Sequence, residues 1–170
     1  MGDVEKLVTN WLIEEGYEVK KLPQIPQVKF TWGLDVFTPP PLRVNIKLFK
    51  PEDRNDRVIL LLGVGVSPEH QAAISRLPRE GRLKFSSKLL SRLIQACATC
   101  SIAIQPNPIE PQGISVALTV FDAEITEDFK PRLMEKMTVM INAFLLIVST
   151  FNEEFPVIPK GGEGSITTRM

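Results

Sequence analysis

The sequence predicts an α+β fold, an antiparallel sheet of about five strands with helices packed on it, in the order α-β-β-β-α-β-β-α. Three observations carry this expectation. Apolar residues recur at spacings of three and four near the start, then at every second residue through Val28 to Val66, then at helical spacing again near the end. Clusters of Pro, Gly, Asn and Asp divide the strand-like runs by short connections, as antiparallel neighbours require. At 170 residues and 19.1 kDa, with 44% hydrophobic and 24% charged residues, the chain can bury a core and has an ordinary globular composition. One α+β domain over 1–160 is expected, with a flexible C-terminal tail over 161–170 that opens Gly161-Gly162-Glu163-Gly164-Ser165.

Asp3 can cap a first helix, because its carboxylate accepts from amides the helix leaves unpaired. Val4, Leu7, Val8, Trp11 and Leu12 share one face, and Gly16 supplies the left-handed conformation that ends the helix. Val28, Phe30, Trp32, Leu34 and Val36 then alternate with Lys29, Thr31, Gly33, Asp35 and Phe37, the first set expected to face the helices. Pro39-Pro40-Pro41 lacks amide donors and must end that strand. Val44, Ile46 and Leu48 alternate with Asn45, Lys47 and Phe49, a polar turn follows over 51–56, and a third strand runs over 57–66.

That third strand leads into LLLGVGVSPEHQ, whose paired glycines invite a phosphate-loop reading. A dinucleotide loop needs a third glycine where Pro68 stands, and a P-loop needs Gly-Lys-Ser/Thr, which is absent. Ser67-Pro68-Glu69 reads instead as a helix N-cap, first helical residue and dipole-favoured acid, with His70 in the first turn and expected at the surface. A helix over 81–97 turns Leu89, Leu90, Leu93, Ile94 and Cys97 inward. Strands over 101–105 and 114–121 flank a proline-rich connection, and a final helix starts between 126 and 131 and ends near 154.

No catalytic set assembles from these residues. Nucleophile triads need a histidine with partners, and His70, the single histidine, has no nucleophile motif around it. Carboxylates at Glu52-Asp53-Asp56 and Glu124-Glu127-Asp128 fall in a turn and at a helix start, where they are solvated rather than opposed in a pocket. Cys97 and Cys100 close a helix, where the dipole opposes thiolate formation, and one C-x-x-C with a distant histidine does not make a zinc site. They are expected as buried thiols with no disulfide framework, in a reducing cytoplasm. The chain is therefore expected to be no enzyme and to carry no metal and no cofactor. Its opening residues lack a signal-peptide core, and Lys6 breaks a myristoylation motif at Gly2.

Surfaces say more. Phe37, Phe49, Ile59 and Leu61 point from the side of the sheet opposite the helices, more apolar area than solvent usually meets, and are candidate partner-binding residues. Lys84, Lys88 and Arg92 repeat every four residues along one ridge and are further candidates. Twenty basic residues balance twenty acidic ones, so no global field draws in nucleic acid. In the last helix Leu133, Met137, Met140, Phe144, Val148 and Phe151 form a stripe, while Val139, Ile141, Leu145, Leu146 and Ile147 fill the remaining sides. A helix apolar all round must be covered all round. Its apolar stretch, interrupted by Asn142, is short for a bilayer, so no membrane association is expected; a central core helix that also meets a second subunit is.

The element order resembles the fold of type III secretion chaperones. More narrowly, the stretches VTNWLIEEGYEV, VILLLGVGVSPEHQAAISRLP and ISVALTVFDAEITEDFKPRLMEKMTVMINAFLLI resemble the archaeal domain-of-unknown-function family 2299 over nearly the whole chain. The resemblance implies that architecture and no activity. Secretion chaperones hold extended partners and dimerise, so by fold analogy a homodimer holding a polypeptide is implied. The expected function is a non-enzymatic, chaperone-like binding domain that takes a polypeptide against a sheet surface or strand edge. The alternatives are a nucleic-acid-associated protein using the basic helix over 82–92, or a small-molecule enzyme without a recognisable motif.

Overall fold

A computed structural model of the chain describes residues 3–156 and 166–168. Helix α1 spans Val4–Glu14. The Asp3 carboxylate accepts the Lys6 amide at 3.4 Å, and Gly16, at φ +86°, lets the Gly16 and Tyr17 amides turn back onto the Ile13 and Leu12 carbonyls. Strands β1 (Glu18–Lys21), β2 (Phe30–Phe37), β3 (Asn45–Pro51) and β4 (Arg57–Val66) follow. Next come helices α2 (Pro68–Ser75) and α3 (Arg79–Ala96), strands β5 (Ser101–Gln105) and β6 (Gly113–Phe121), and a 3-10 turn over Asp122–Glu124. Helix α4 (Lys130–Glu154) and strand β7 (Ile166–Thr168) complete the described elements.

The fold is α+β, with a six-stranded antiparallel sheet in the order β1-β2-β3-β4-β6-β5 and β7 attached to β4. The additional strands were hidden by their composition and position. β1 is Glu-Val-Lys-Lys, too polar and short to show a period, yet it pairs with β2 from Glu18↔Phe37 to Lys21↔Leu34. β7 lies within the stretch expected to be a flexible tail; the remainder of 161–170 lies outside the described residues. The contacts of the chain gather in two compact units, Met1–Leu61 with Ala117–Thr138 and Leu62–Val116 with Val139–Met170.

In the first unit, α1 packs on β1 and β2 through Val8, Trp11 and Leu12, all buried as its periodicity predicts. Leu34, Val36, Ile46, Leu48, Val58 and Leu60 are buried together on alternate positions of three strands. The strict alternation expected from Val28 to Val36 fails at its beginning. The β2–β3 register slips between Phe30 and Trp32, and such a slip sends the residues before it to the other face. Phe30 therefore meets Phe49, ring centroids 6.1 Å apart, rather than the helices. Leu22 joins them, and Gly33 beneath has no room for a side chain: a Cβ there would lie 2.9 Å from Leu22 Cβ.

In the second unit, Ser67 caps α2 by accepting the His70 amide at 3.3 Å, and Pro68 sits in the first turn, as its sequence implies. His70 is not at the surface: its side chain is fully buried. Its Nε2 stands 3.1 Å from the Phe155 carbonyl and must donate to it, and Nδ1 lies 3.1 Å from Ser67 Oγ. The ring packs on Phe151 in an edge-type contact with centroids 5.4 Å apart, and Phe151 and Phe155 both meet Phe85, continuing an aromatic column. A lone polar residue in a first helical turn looks solvated from sequence, because nothing local announces the carbonyl that will receive it.

Three further expectations change here. Cys97 and Cys100 are joined in a disulfide rather than held as free thiols, since the chain leaves α3 at Cys97 extended and returns the two Cα atoms to 5.4 Å. Helix α3 buries Phe85, Ser86, Leu89 and Leu93, so Ile94, expected inward, is 56% exposed and Leu90 only half-buried. Helix α4 is one described helix long and apolar enough to cross a membrane by length and composition. Its buried side chains, Leu133, Met137, Met140, Ala143, Ile147, Thr150 and Phe151, form a single stripe. Only 33% of its apolar stretch is buried, Leu145 is 44% exposed, and Ile141, Phe144, Leu146 and Val148 are half-buried, so the helix is not covered all round.

Candidate functional site

β4 is longer than its pairing with β3, which runs from Phe49↔Ile59 to Lys47↔Leu61. Its last three residues receive β7 antiparallel, with Val64↔Thr168, Gly65↔Thr167 and Val66↔Ile166. The hydrogen-bond geometry follows from one distance. The Val66 amide donates to the Gln112 carbonyl at 3.0 Å, so Val66 faces β6, and in an extended chain its neighbour must face the opposite way. Gly65 N–H and C=O therefore face Thr167. This end of β4 is a strand acceptor, and its side chains Val64 and Val66 are buried while Gly65 between them adds none.

Sequence reasoning missed this site because Ile166-Thr167-Thr168 follows a glycine-rich run. Its signal was available: three consecutive β-branched residues, which favour a pleated strand.

The expected partner-binding residues on the reverse of the sheet are in part already occupied by their own chain. Phe49 is only 8% exposed, packed with Leu22 and Phe30, while Ile59 and Leu61 are half-buried against that cluster. The loop between β1 and β2 crosses to that face because its apolar residues have nowhere else to hide. Phe49 and Ile59 nevertheless line a groove of about 780 Å³ with Val28 and Pro51, rimmed by Asp53 and Arg54. Phe37 stands apart under two cations, Arg43 at 4.7 Å and Lys20 at 5.7 Å from its ring centre. Glu18 beside them is held below the usual carboxylate range by its hydrogen bond from Lys20, reinforced by Arg43. The patch is thus two clusters and not one continuous apolar surface.

Two of the three cations of the basic ridge are answered by carboxylates at the end of α4. Arg92 Nη1 reaches Glu153 at 2.9 Å and Thr150 Oγ1 at 3.1 Å, and Lys88 pairs with Glu153 and Glu154. The Arg92 hydrogen bond holds the Glu153 carboxyl below its usual range, and Arg92 itself is raised by the same contact. Lys84 alone of the three has no ion pair among the described residues. Charges answered inside the fold have little left for a phosphate backbone. The turn carboxylates Glu52, Asp53 and Asp56 and the helix-start Glu124, Glu127 and Asp128 are exposed, as expected. Among the described residues no cluster of His, Cys, Asp and Glu could hold a metal ion.

Comparison with known proteins adds family and fold. The family model described as Uncharacterized conserved protein (DUF2299) matches residues 4–151. The fold is similar to the crystal structure of an uncharacterized protein from Methanothermobacter thermautotrophicus, with a TM-score of 0.76 and 22% identity over 90% of this chain and 99% of that one. Among curated proteins no sequence matches.

Proposed function

The chain belongs to the DUF2299 family, and from that premise we propose that it is a non-enzymatic binding domain that holds an extended polypeptide as an added strand. The observation that carries this reading is the end of β4, which takes three residues of the chain's own C-terminal region in antiparallel register. Strand addition is tolerant of sequence because main-chain hydrogen bonds supply the affinity, and each contributes about 0.5–1.5 kcal/mol net. A three-residue strand is a weak occupant by that measure, so a longer segment with the same β-branched character competes with it. Such holding of a polypeptide is a chaperone-like role. The proposal includes a homodimer, supported by the uncovered side of α4 around Leu145.

Hydrogen exchange on the full chain, with and without an added peptide of the sequence GSITTRM, tests it. The added peptide should slow exchange at Gly65 and leave Val66, already bonded to Gln112, unchanged. Gly65→Pro, which removes the donor facing Thr167 while sparing the β6 side, should weaken peptide binding about tenfold. Equal binding by that variant, or a strict monomer that retains no added peptide, would refute the proposal.

A further inference from the structure

Helix α2, the start of α3 and the connection over 106–112 enclose a cleft of about 290 Å³, at the lower edge of the roughly 300–1,000 Å³ typical of small-molecule sites. Arg82 is its one cation among the described residues. Two edges of the guanidinium are fixed by backbone carbonyls: Nε donates to Leu77 at 2.9 Å and Nη2 to Ser75 at 2.7 Å. The third edge, Nη1, has no acceptor within hydrogen-bond distance among the described residues. Its nearest carboxylate, Glu110, stands 4.0 Å away and is largely exposed. Glu110 is carried on a turn fixed by Asn107, whose Oδ1 accepts the Ile109 and Glu110 amides at 2.9 and 3.0 Å. Ile74, Ile109 and Pro111 supply apolar wall.

A guanidinium clamped in place before any ligand arrives has already lost the rotamer freedom that binding would otherwise cost. We propose that this cleft binds a small organic carboxylate, with Arg82 Nη1 taking the carboxylate in place of Glu110 and the apolar wall taking its aliphatic body. A dianion such as phosphate fits less well, because the cleft offers one cation, an opposing carboxylate and apolar walls. This inference is independent of strand addition on β4.

Titration calorimetry on the full chain tests it, with hexanoate as probe and hexanamide and hexylamine as controls. Hexanoate should bind and the two controls should not. Arg82→Gln should abolish binding, and Arg82→Lys should weaken it about tenfold, since an ammonium's donors sit on one nitrogen and lack the planar fork that spans both carbonyls and the ligand. Glu110→Gln removes only an exposed competitor, leaves the clamp intact, and should tighten binding about threefold or more. A short peptide with a free C-terminus, set against its C-terminal amide, decides the source. Preference for the free peptide over hexanoate assigns the site to chain ends, the reverse assigns it to free acids, and both uphold a carboxylate site. Binding of hexanamide equal to hexanoate, or no gain with Glu110→Gln, would overturn the proposal. That variant keeps the test decisive even if the Arg82 variants fail to fold.

Discussion

Replacing His70 by Ala tests how the C-terminal end of α4 is held. The ring is fully buried, donates to the Phe155 carbonyl, contacts the Ser67 hydroxyl, and packs on Phe151 in an edge-type contact. Two hydrogen bonds at about 1 kcal/mol each and one aromatic contact at about 0.5–1.5 kcal/mol give roughly 3 kcal/mol. The void left by the ring raises this toward about 4–5 kcal/mol, the upper range for large-to-small core changes. For a chain of this length each kcal/mol lowers the melting temperature by about 2–4 °C, so a fall of roughly 6–20 °C is expected. Urea unfolding followed by far-ultraviolet circular dichroism measures it. His70→Gln, which keeps a donor near the Nε2 position, should recover about 1 kcal/mol of the loss. A loss below about 1 kcal/mol for the Ala variant, or no recovery with Gln, would refute the view that this side chain ties α2 to the end of α4.

Gly33→Ala should destabilise by about 1–3 kcal/mol, because its Cβ would meet Leu22 Cβ and Cδ2 at 2.9 Å and Phe30 at 3.0 Å, and the gain from a stiffer unfolded chain is only about 0.4–1 kcal/mol. A neutral or stabilised variant in the same urea assay would show that the loop over Phe49 moves freely. Glu153→Gln should lower stability at neutral pH and lose that effect in acid. The Arg92 contact depresses the Glu153 carboxyl in the folded state, so its contribution is present above the ordinary glutamate range and is lost as pH falls below about 4. Urea midpoints of the two proteins should therefore converge as pH falls from 7 through and below the ordinary glutamate range; a gap independent of pH would count against the pairing.

The features legible in the sequence are local. The cap at Asp3, the left-handed Gly16, the Ser67-Pro68 start of α2 and the limits of β4 and β5 each depend on a few adjacent residues. The candidate site was legible only in its parts. Val64 to Val66 read as strand, and Ile166 to Thr168 carried β-branched character, but no local rule pairs segments a hundred residues apart. The basic ridge likewise read correctly as one face of a helix, while the pairing of Lys88 and Arg92 waited on Glu153 and Glu154 from another helix.

By itself the amino-acid order determined the α+β class, most element boundaries and the want of a recognisable catalytic motif, because backbone preference and side-chain period act over one or two turns of chain. Only the tertiary structure decided that Phe30 changes face at a bulge, that His70 is enclosed, that the two cysteines meet and that β4 accepts a further strand. Those outcomes turn on which distant groups arrive within a few ångströms of one another, and packing selects among arrangements that local preference leaves nearly equal.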